Sequence, residues 1–491
     1  MNIISIDVGT TNIKVARAKV SEESIEIIDQ VNVNVPPEKP ERKAYEHNPR
    51  ILFNLLIKAI RHLGGKEIDA LAFTAYLFGL IHMDKNMKPL SNIITWLDER
   101  PIKVLKALEP YREELYLRTG CPVLHIYALP KILWFKKYRK ELFEKTRYFL
   151  DAKSFLMYMF SGEIVSDFST ASGTYQLLNI HNLKWDNFAL RLAGVSETQL
   201  PKIVEGTYTA LMKESIAKEL GLSGKIPIII GLYDSASMIY GLTCGKSNLG
   251  VVNIGTSAML RTVADKPIID YPNLMRFQTY YFINRKWISG GGINNAGIVL
   301  DYLRRLFNIK LSKTEFFTWI FDEISKKVKE KSKPLLFIPL VYAERLPLLK
   351  TTIGGTILGV TQEIDLIDVF KAAIEGTVFL LRRIGDGLVE NGVSYHKVIV
   401  GGKIAQHLPV QRMLANILGK EIVYCGIPDV SHLGNTLITL ESLKAYSSKE
   451  IAYLHEKIMM KCITIKPDIA FQEQYERLYE RFNEMLKKLY G

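Results

Sequence analysis

At 491 residues, with 48% hydrophobic and 23% charged content, the chain is too long for one core and matches ordinary globular averages, so two domains are expected and disorder is excluded. Its net charge of +13 suits nucleic acid, a membrane surface or anionic ligands alike, yet the lysines are scattered rather than clustered. The nearest basic run, Lys326, Lys327, Lys329, Lys331 and Lys333, alternates with Glu, Ser and Val before an apolar strand and reads as a solvated helix end rather than a nucleic-acid patch.

Cys121, Cys244, Cys425 and Cys462 lie far apart without a C-x-x-C pair, which argues against a zinc site or a disulfide framework and for reduced thiols. The opening Met1 to Asp7 lacks a basic n-region and a small-residue cleavage site, and no uncharged stretch approaches the roughly 18–20 residues of a membrane span. A cytoplasmic protein without membrane or nucleic-acid partners is expected.

The first twenty residues predict a short apolar strand ending at Asp7, a turn through Gly9, Thr10 and Thr11, and a second strand alternating through Ile13, Val15 and Ala18. A second unit of the same order appears at Leu249 to Val263: setting Asp7 on Asn253 places Gly9 on Gly255 and Thr10 on Thr256, an offset of 246 residues, half the chain. The protein therefore reads as two halves on one plan, 1–244 and 245–491, divided near Thr243 to Ser247. Between the hairpins, Gly224 to Gly231 predicts a buried strand leading through Asp234 into a helix. In the second half helices are expected at Asn294 to Phe307, with Ile298, Val299, Tyr302, Leu303 and Leu306 on one face, at Asp368 to Leu388, and around Val410 to Leu418 after a strand ending in Gly401-Gly402. This alternation points to α/β layers in both halves.

Hairpin tips of Gly, Thr and hydroxyl residues expose consecutive N–H groups that bind phosphate oxygens without a lysine; two tips suit two phosphates. No Walker loop and no G-x-G-x-x-G motif is present. Asp7, ending a strand beside the first tip, suits Mg²⁺ held directly or through water, or else caps the turn. Asp234, where strand meets helix, is either an N-cap or the base that takes a proton from an attacking hydroxyl. Gly401-Gly402 lets the backbone approach a flat ligand such as a nucleoside. Glu375, on the apolar face of a long helix, reads as a buried glutamate tied to the backbone or an arginine rather than a catalytic one.

These pieces together resemble the FGGY carbohydrate kinases of the actin, Hsp70 and hexokinase superfamily, over nearly the whole length. Ile6 to Lys14 resembles the family's first phosphate motif and Asn253 to Ser257 its second; Gly231-Leu-Tyr-Asp234 with Gly241 stands where the family keeps its catalytic aspartate. Gly355 to Val360 through Asp368 to Gly376 follows the C-terminal signature, and Val400 to Gly402 with Leu418-Gly419 is similar to the adenosine motif. The resemblance implies an α/β fold of two ribonuclease-H-like domains closing over an interdomain cleft for ATP and sugar. It implies ATP and Mg²⁺ as cofactors, Asp234 as base, and Asp7 and Asp234 near the metal. Gly9, Thr10, Thr11, Lys14, Gly255, Thr256 and Ser257 would lie on phosphate, and Gly297, Asp301, Gly401, Gly402 and Gln406 near adenosine. A small sugar or sugar acid is the implied partner, with a homodimer left open.

Lys403 replaces the small residue usual after Gly402, Phe73 to Gly79 replaces the Gln-Met-His-Gly run of xylulose kinases, and the Arg-Glu pair by which glycerol kinases grip glycerol is missing. Tyr116 to Pro122, Asp167 to Thr174, Gly290 to Gly297 and Gly255 to Arg261 are similar to gluconate kinases, which makes a sugar acid, gluconate first, the expected substrate. A ketopentose such as xylulose or ribulose, or a polyol, is the alternative, and a sugar-independent ATPase switch is the reading from another class. Tyr76, Phe78, Trp96, Asp98, Arg100 and Tyr127 are the candidate sugar-pocket residues, set against core packing or an internal Asp98–Arg100 pair.

Overall fold

The computed structural model describes residues 1–63, 67–222, 224–327, 333–348 and 354–490. Two sheets carry the molecule. In the first, six strands run in the order Thr209–Leu211, Pro227–Ile229, Ala70–Ala75, Asn2–Val8, Asn12–Val20 and Ile25–Asn34. In the second, seven run Gln278–Tyr281, Trp287–Ile293, Ala258–Ala264, Leu249–Ile254, Lys397–Gly401, Glu421–Tyr424 and Ile463–Ile465.

The two are built alike, as the half-chain offset predicts. Asn2–Val8 pairs antiparallel with Asn12–Val20 and parallel with Ala70–Ala75; Leu249–Ile254 pairs antiparallel with Ala258–Ala264 and parallel with Lys397–Gly401. Each hairpin closes on a three-residue tip, Gly9 N–H donating to the Asn12 carbonyl at 2.8 Å and Gly255 N–H to the Ser257 carbonyl at 2.9 Å. The jump in alternation from Val15 to Ala18 is a change of face: Ile13 and Val15 pack on one side of the sheet and Ala18 and Val20 on the other, so both faces of the strand are covered, while the register shift opposite Arg17 and Ala18 lies in Ile25–Asn34, where Ile28 is left unpaired.

Apolar side chains from both faces of each sheet fill separate cores, and between the sheets lies a third, joining Ile3, Ala72 and Ile229 of the first sheet to Val251 and Ile399 of the second. Two helices occupy this middle layer. Asp234–Thr243 and Val430–Ser442 pack on each other, the latter against the first sheet although it belongs to the second half of the chain. Their N-termini bring Asp234, Ser235, Val430 and Ser431 to one cleft.

The expected helices form at Gly297–Leu306, Leu366–Glu390 and Leu408–Leu418. Leu306, assigned to a buried face, is 59% exposed, because the helix ends there and its last turn leaves the core. Glu375 is buried, as expected, and among the described residues it meets the Tyr475 hydroxyl at 3.0 Å and Lys371 one turn away. In the basic run, Lys327 pairs with Asp365 and Asp368 and Lys333 with Asp368; Lys329 and Lys331 lie outside the described residues. The reading of four separate thiols is corrected: Cys425 and Cys462 are joined as a disulfide across 37 residues, because adjacent strands bring together cysteines whose spacing carries no signal, while Cys121 and Cys244 stay free. Among the described residues no helix is long and apolar enough to cross a membrane.

Candidate active site

The cleft of about 640 Å³ between the sheets is lined by Asp7 and Lys14 of the first hairpin, Asp234 and Ser235 of the middle helix, Asn253 of the second hairpin, Gly401, Gly402, Lys403 and Gln406 after the parallel strand, and the loop from Tyr424 to Ser431. Asp7 ends the central strand of the first sheet and pairs across the ladder with Lys14. The equivalent position of the second sheet is Asn253, opposite Met259, so one hairpin brings an acid and the other an amide to the same opening.

Asp234 is the first residue of its helix, where Tyr233 is the N-cap, and accepts from the Ser235 N–H at 2.6 Å. Of the two readings made from sequence, the cap is thereby ruled out and the carboxylate is left at the cleft wall. Burial, and next the charge of Asp7, push the Asp234 carboxyl up to about 7 from 3.8. Two carboxylates that repel each other across a cleft are a fit for a divalent cation, whose charge relieves both. Among the described residues no cluster of three or more acidic, histidine or cysteine ligands is assembled, and Mg²⁺ held by one or two carboxylates, phosphate oxygens and water needs none.

Asp7 Oδ2 also accepts from Ser431 Oγ at 2.7 Å. Lys14 is ion-paired with Asp429, which accepts from Gln30 Nε2 at 2.8 Å. Asp429 and Ser431 were not found by sequence reasoning; the only signal was the turn chemistry of Gly426-Ile-Pro-Asp after a strand.

The glycines have steric reasons. Gly402 has φ +94°, and a Cβ there would run into the Ile254 carbonyl oxygen. A Cβ on Gly297 would stand 2.5 Å from the Gly255 carbonyl oxygen, which accepts from the Gly297 N–H at 3.1 Å. Gly297 therefore docks its helix against the second tip. Neither it nor the tips Gly9, Thr10, Thr11 and Gly255, Thr256, Ser257 line the cleft itself; they continue from the strands that do. Asp301 also stands apart, paired along its helix with Arg304 and Arg305.

The sugar-pocket candidates separate into two groups. Arg100 and Asp98 are buried and bound to each other at 2.6 Å, with Glu46 and Glu41 as further partners of the guanidinium. Tyr76 is buried against His47, its hydroxyl 2.9 Å from Nδ1. The remaining three pack in the layer between the sheets: Phe78 meets the Tyr127 ring edge-on at 5.5 Å, Tyr127 shares a 3.0 Å hydrogen bond with Tyr280, and Trp96 Nε1 donates to Thr10 Oγ1 of the first tip at 3.0 Å.

This architecture sets two like-built α/β lobes around one cleft whose walls carry Asp7, Lys14, Asp234 and Asn253. Comparison with known proteins agrees. The N-terminal domain model of the FGGY family of carbohydrate kinases matches residues 2–241 and its C-terminal domain model residues 250–441. The gluconokinase of Bacillus subtilis is 30% identical over 454 residues, 89% of this chain and 87% of its own length; the xylulose kinase of Lactococcus lactis is 24% identical over 99% of this chain and 96% of its own. Among solved structures, gluconate kinase from Lactobacillus acidophilus superposes with a TM-score of 0.90 at 24% identity, covering 99% of this chain and 98% of that one, and xylulose kinase from the same organism with a TM-score of 0.89 at 24% identity, with the same coverage. The chain belongs to the FGGY family of carbohydrate kinases. It is a sugar kinase with that family's two-domain fold.

Proposed function

We propose that the protein transfers the γ-phosphoryl group of ATP to a hydroxyl of a sugar acid, gluconate or a close aldonate, with Asp234 as the base. The observation that carries this reading is Asp234 itself: a cleft-wall carboxyl beside Asp7, raised to about 7, the range in which a base both ionises and accepts a proton at neutral pH. The acceptor hydroxyl lies against Asp234 and gives up its proton to the carboxylate as its oxygen attacks the γ-phosphorus. Asp7 and Asp234 would hold Mg²⁺, which would neutralise charge on the phosphates. The N–H groups and hydroxyls of the two tips orient phosphate oxygens, Lys14 adds positive charge beside them, and the backbone at Gly401 and Gly402 admits adenosine, with Gln406 at its edge. Residues 1–244 and 245–491 form the two lobes, and their closure excludes the water that competes for the phosphoryl group.

The aldonate preference is supported by the gluconokinase relative and by the motifs similar to gluconate kinases. A ketopentose acceptor is the second reading, favoured by the xylulose kinase relatives. A coupled ADP-release screen with ATP and Mg²⁺ over aldonates, ketopentoses, polyols and glycerol decides between them. One aldonate far above the rest, silenced by Asp234→Asn, supports the first reading. Ketopentose turnover with inert aldonates establishes the second, and ADP release without an acceptor that survives Asp234→Asn overturns both in favour of an ATPase switch.

A further inference from the structure

We infer that Arg261 and Arg345 form a subsite for the carboxylate of an acidic sugar, so that the acceptor is held by its acid group at one end and deprotonated by Asp234 at the other. This rests on the phosphotransfer reading above and names two residues that neither composition nor motif had placed in the site.

Arg261, on strand Ala258–Ala264, is only 7% exposed, yet its Nε and Nη1 have no hydrogen-bond partner among the described residues. Its Nη2 reaches Gln278 Oε1 at a long 3.5 Å, and its guanidinium lies over the Tyr280 ring at 5.1 Å. Arg345 is half-buried, also with Nε unpartnered, and lies 5.4 Å from the ring of Trp96, the residue that donates to the first phosphate tip. The adjacent Glu344 lends Arg345 its charge but makes no ion pair with the guanidinium: that carboxylate accepts from the N–H groups of Asn294, Asn295 and Arg345 at 2.6, 3.2 and 2.9 Å and from Asn295 Nδ2 at 2.8 Å. The Arg261 guanidinium and the ring of Tyr233, the residue before the base, both lie against the Tyr280 ring, at 5.1 and 6.2 Å, and Arg345 Nη2 stands over Gly292 of the strand that pairs with Arg261. The two cations therefore flank one region next to the base.

Strand Trp287–Ile293 pairs Gly292 with Met259 and puts no side chain there, whereas Gly290, paired to Arg261, and Gly291 are closed in by the Leu260 carbonyl and by Ile384 and Leu346. A side chain at Gly292 would begin 3.4 Å from Arg345 Nη2. The rim is polar: Gln278 Nε2 donates to the Tyr127 hydroxyl at 2.6 Å, and the buried Tyr233 hydroxyl has no partner among the described residues. A buried guanidinium with unmade hydrogen bonds is costly, more so beside a second one. An anion restores both charge and hydrogen bonding, and the planar fork of arginine matches a carboxylate in geometry.

The test compares gluconate with glucitol, the same carbon chain bearing CH₂OH in place of the carboxylate, as substrates or as competitors, in wild type, Arg261→Met, Arg261→Lys and Arg345→Met. Removing one arm of a buried, hydrogen-bonded charge pair lowers kcat/KM for gluconate about a hundredfold or more in Arg261→Met, while glucitol and the KM for ATP change by about threefold at most. Arg261→Lys, which keeps the charge, recovers part of the loss, and thermal melts confirm folding of each variant. Equal losses for gluconate and glucitol, or a loss carried by the KM for ATP, overturn the subsite. If wild type phosphorylates neutral acceptors, and gluconate neither reacts nor competes, the subsite and the aldonate preference both fall, while loss of neutral-acceptor turnover in Asp234→Asn leaves the kinase reading standing.

Discussion

Ser431 donates a hydrogen bond of 2.7 Å to Asp7, across 424 residues of sequence. The bond ties the end of the first strand to the N-terminus of helix Val430–Ser442, so a residue of the second half orients the acid of the first. A hydrogen bond to a charged acceptor contributes about 1.5–3 kcal/mol. Ser431→Ala is expected to raise the KM for Mg·ATP by roughly tenfold, which 1.4 kcal/mol supplies, with the acceptor KM little changed. Steady-state titrations of each substrate at saturation of the other check it.

Asp234 couples activity to stability in opposite senses. A base must be ionised, so kcat/KM for the acceptor is expected to rise with pH and to level at or below about 7, because a bound divalent cation favours the ionised carboxylate. The folded carboxyl, raised from 3.8, binds a proton that the unfolded chain releases. Its contribution to stability is therefore complete below 3.8 and lost as pH rises through about 7. Asp234→Asn is expected to melt above wild type at pH 8, to match it at pH 3.5, and to lower kcat by about 10²–10⁴. Melting curves at the two pH values and a pH–rate profile test both halves of the argument.

The repeated hairpins were legible in sequence because Gly-Thr tips and apolar strands are local signals, and an offset of half the chain exposes the repeat. Asp234 was legible for the same reason, standing where a buried strand turns into a helix. What crosses between elements was not. Asp429 and Ser431 reach the cleft only because helix Val430–Ser442 packs on the first sheet, and Arg345 meets Trp96 from a loop far along the chain. The Cys425–Cys462 bond likewise follows from strand adjacency, with Glu421–Tyr424 and Ile463–Ile465 paired. Of the two readings offered for Asp98 and Arg100, the internal pair is what the geometry contains.

Gly402 tests the nucleotide end of the cleft. Its φ of +94° is strained for any side chain, and a Cβ would stand 2.8 Å from Asn253 Oδ1 besides meeting the Ile254 carbonyl. Gly402→Ala is expected to cost about 1–3 kcal/mol of stability through the backbone and, by shifting the wall of the cleft, to weaken ADP binding by about tenfold, equivalent to 1.4 kcal/mol. Calorimetric titration with ADP, beside a denaturant melt, separates the two effects.

Arg100 provides the contrast to Arg261, since both are buried arginines and only one has its charge met. Asp98 is fully buried and Glu46 nearly so, and the Arg100 guanidinium serves both. Arg100→Ala leaves two buried carboxylates without their cation, a loss of about 3–5 kcal/mol. In whatever fraction remains folded at low temperature, the acceptor KM is expected to stay near wild type, because Nε, Nη1 and Nη2 of Arg100 are each already engaged by a carboxylate. A rise in acceptor KM without loss of stability would instead put the Asp98–Arg100 pair in the sugar pocket; stability lost at constant KM assigns it to holding the Glu46 strand against the lobe.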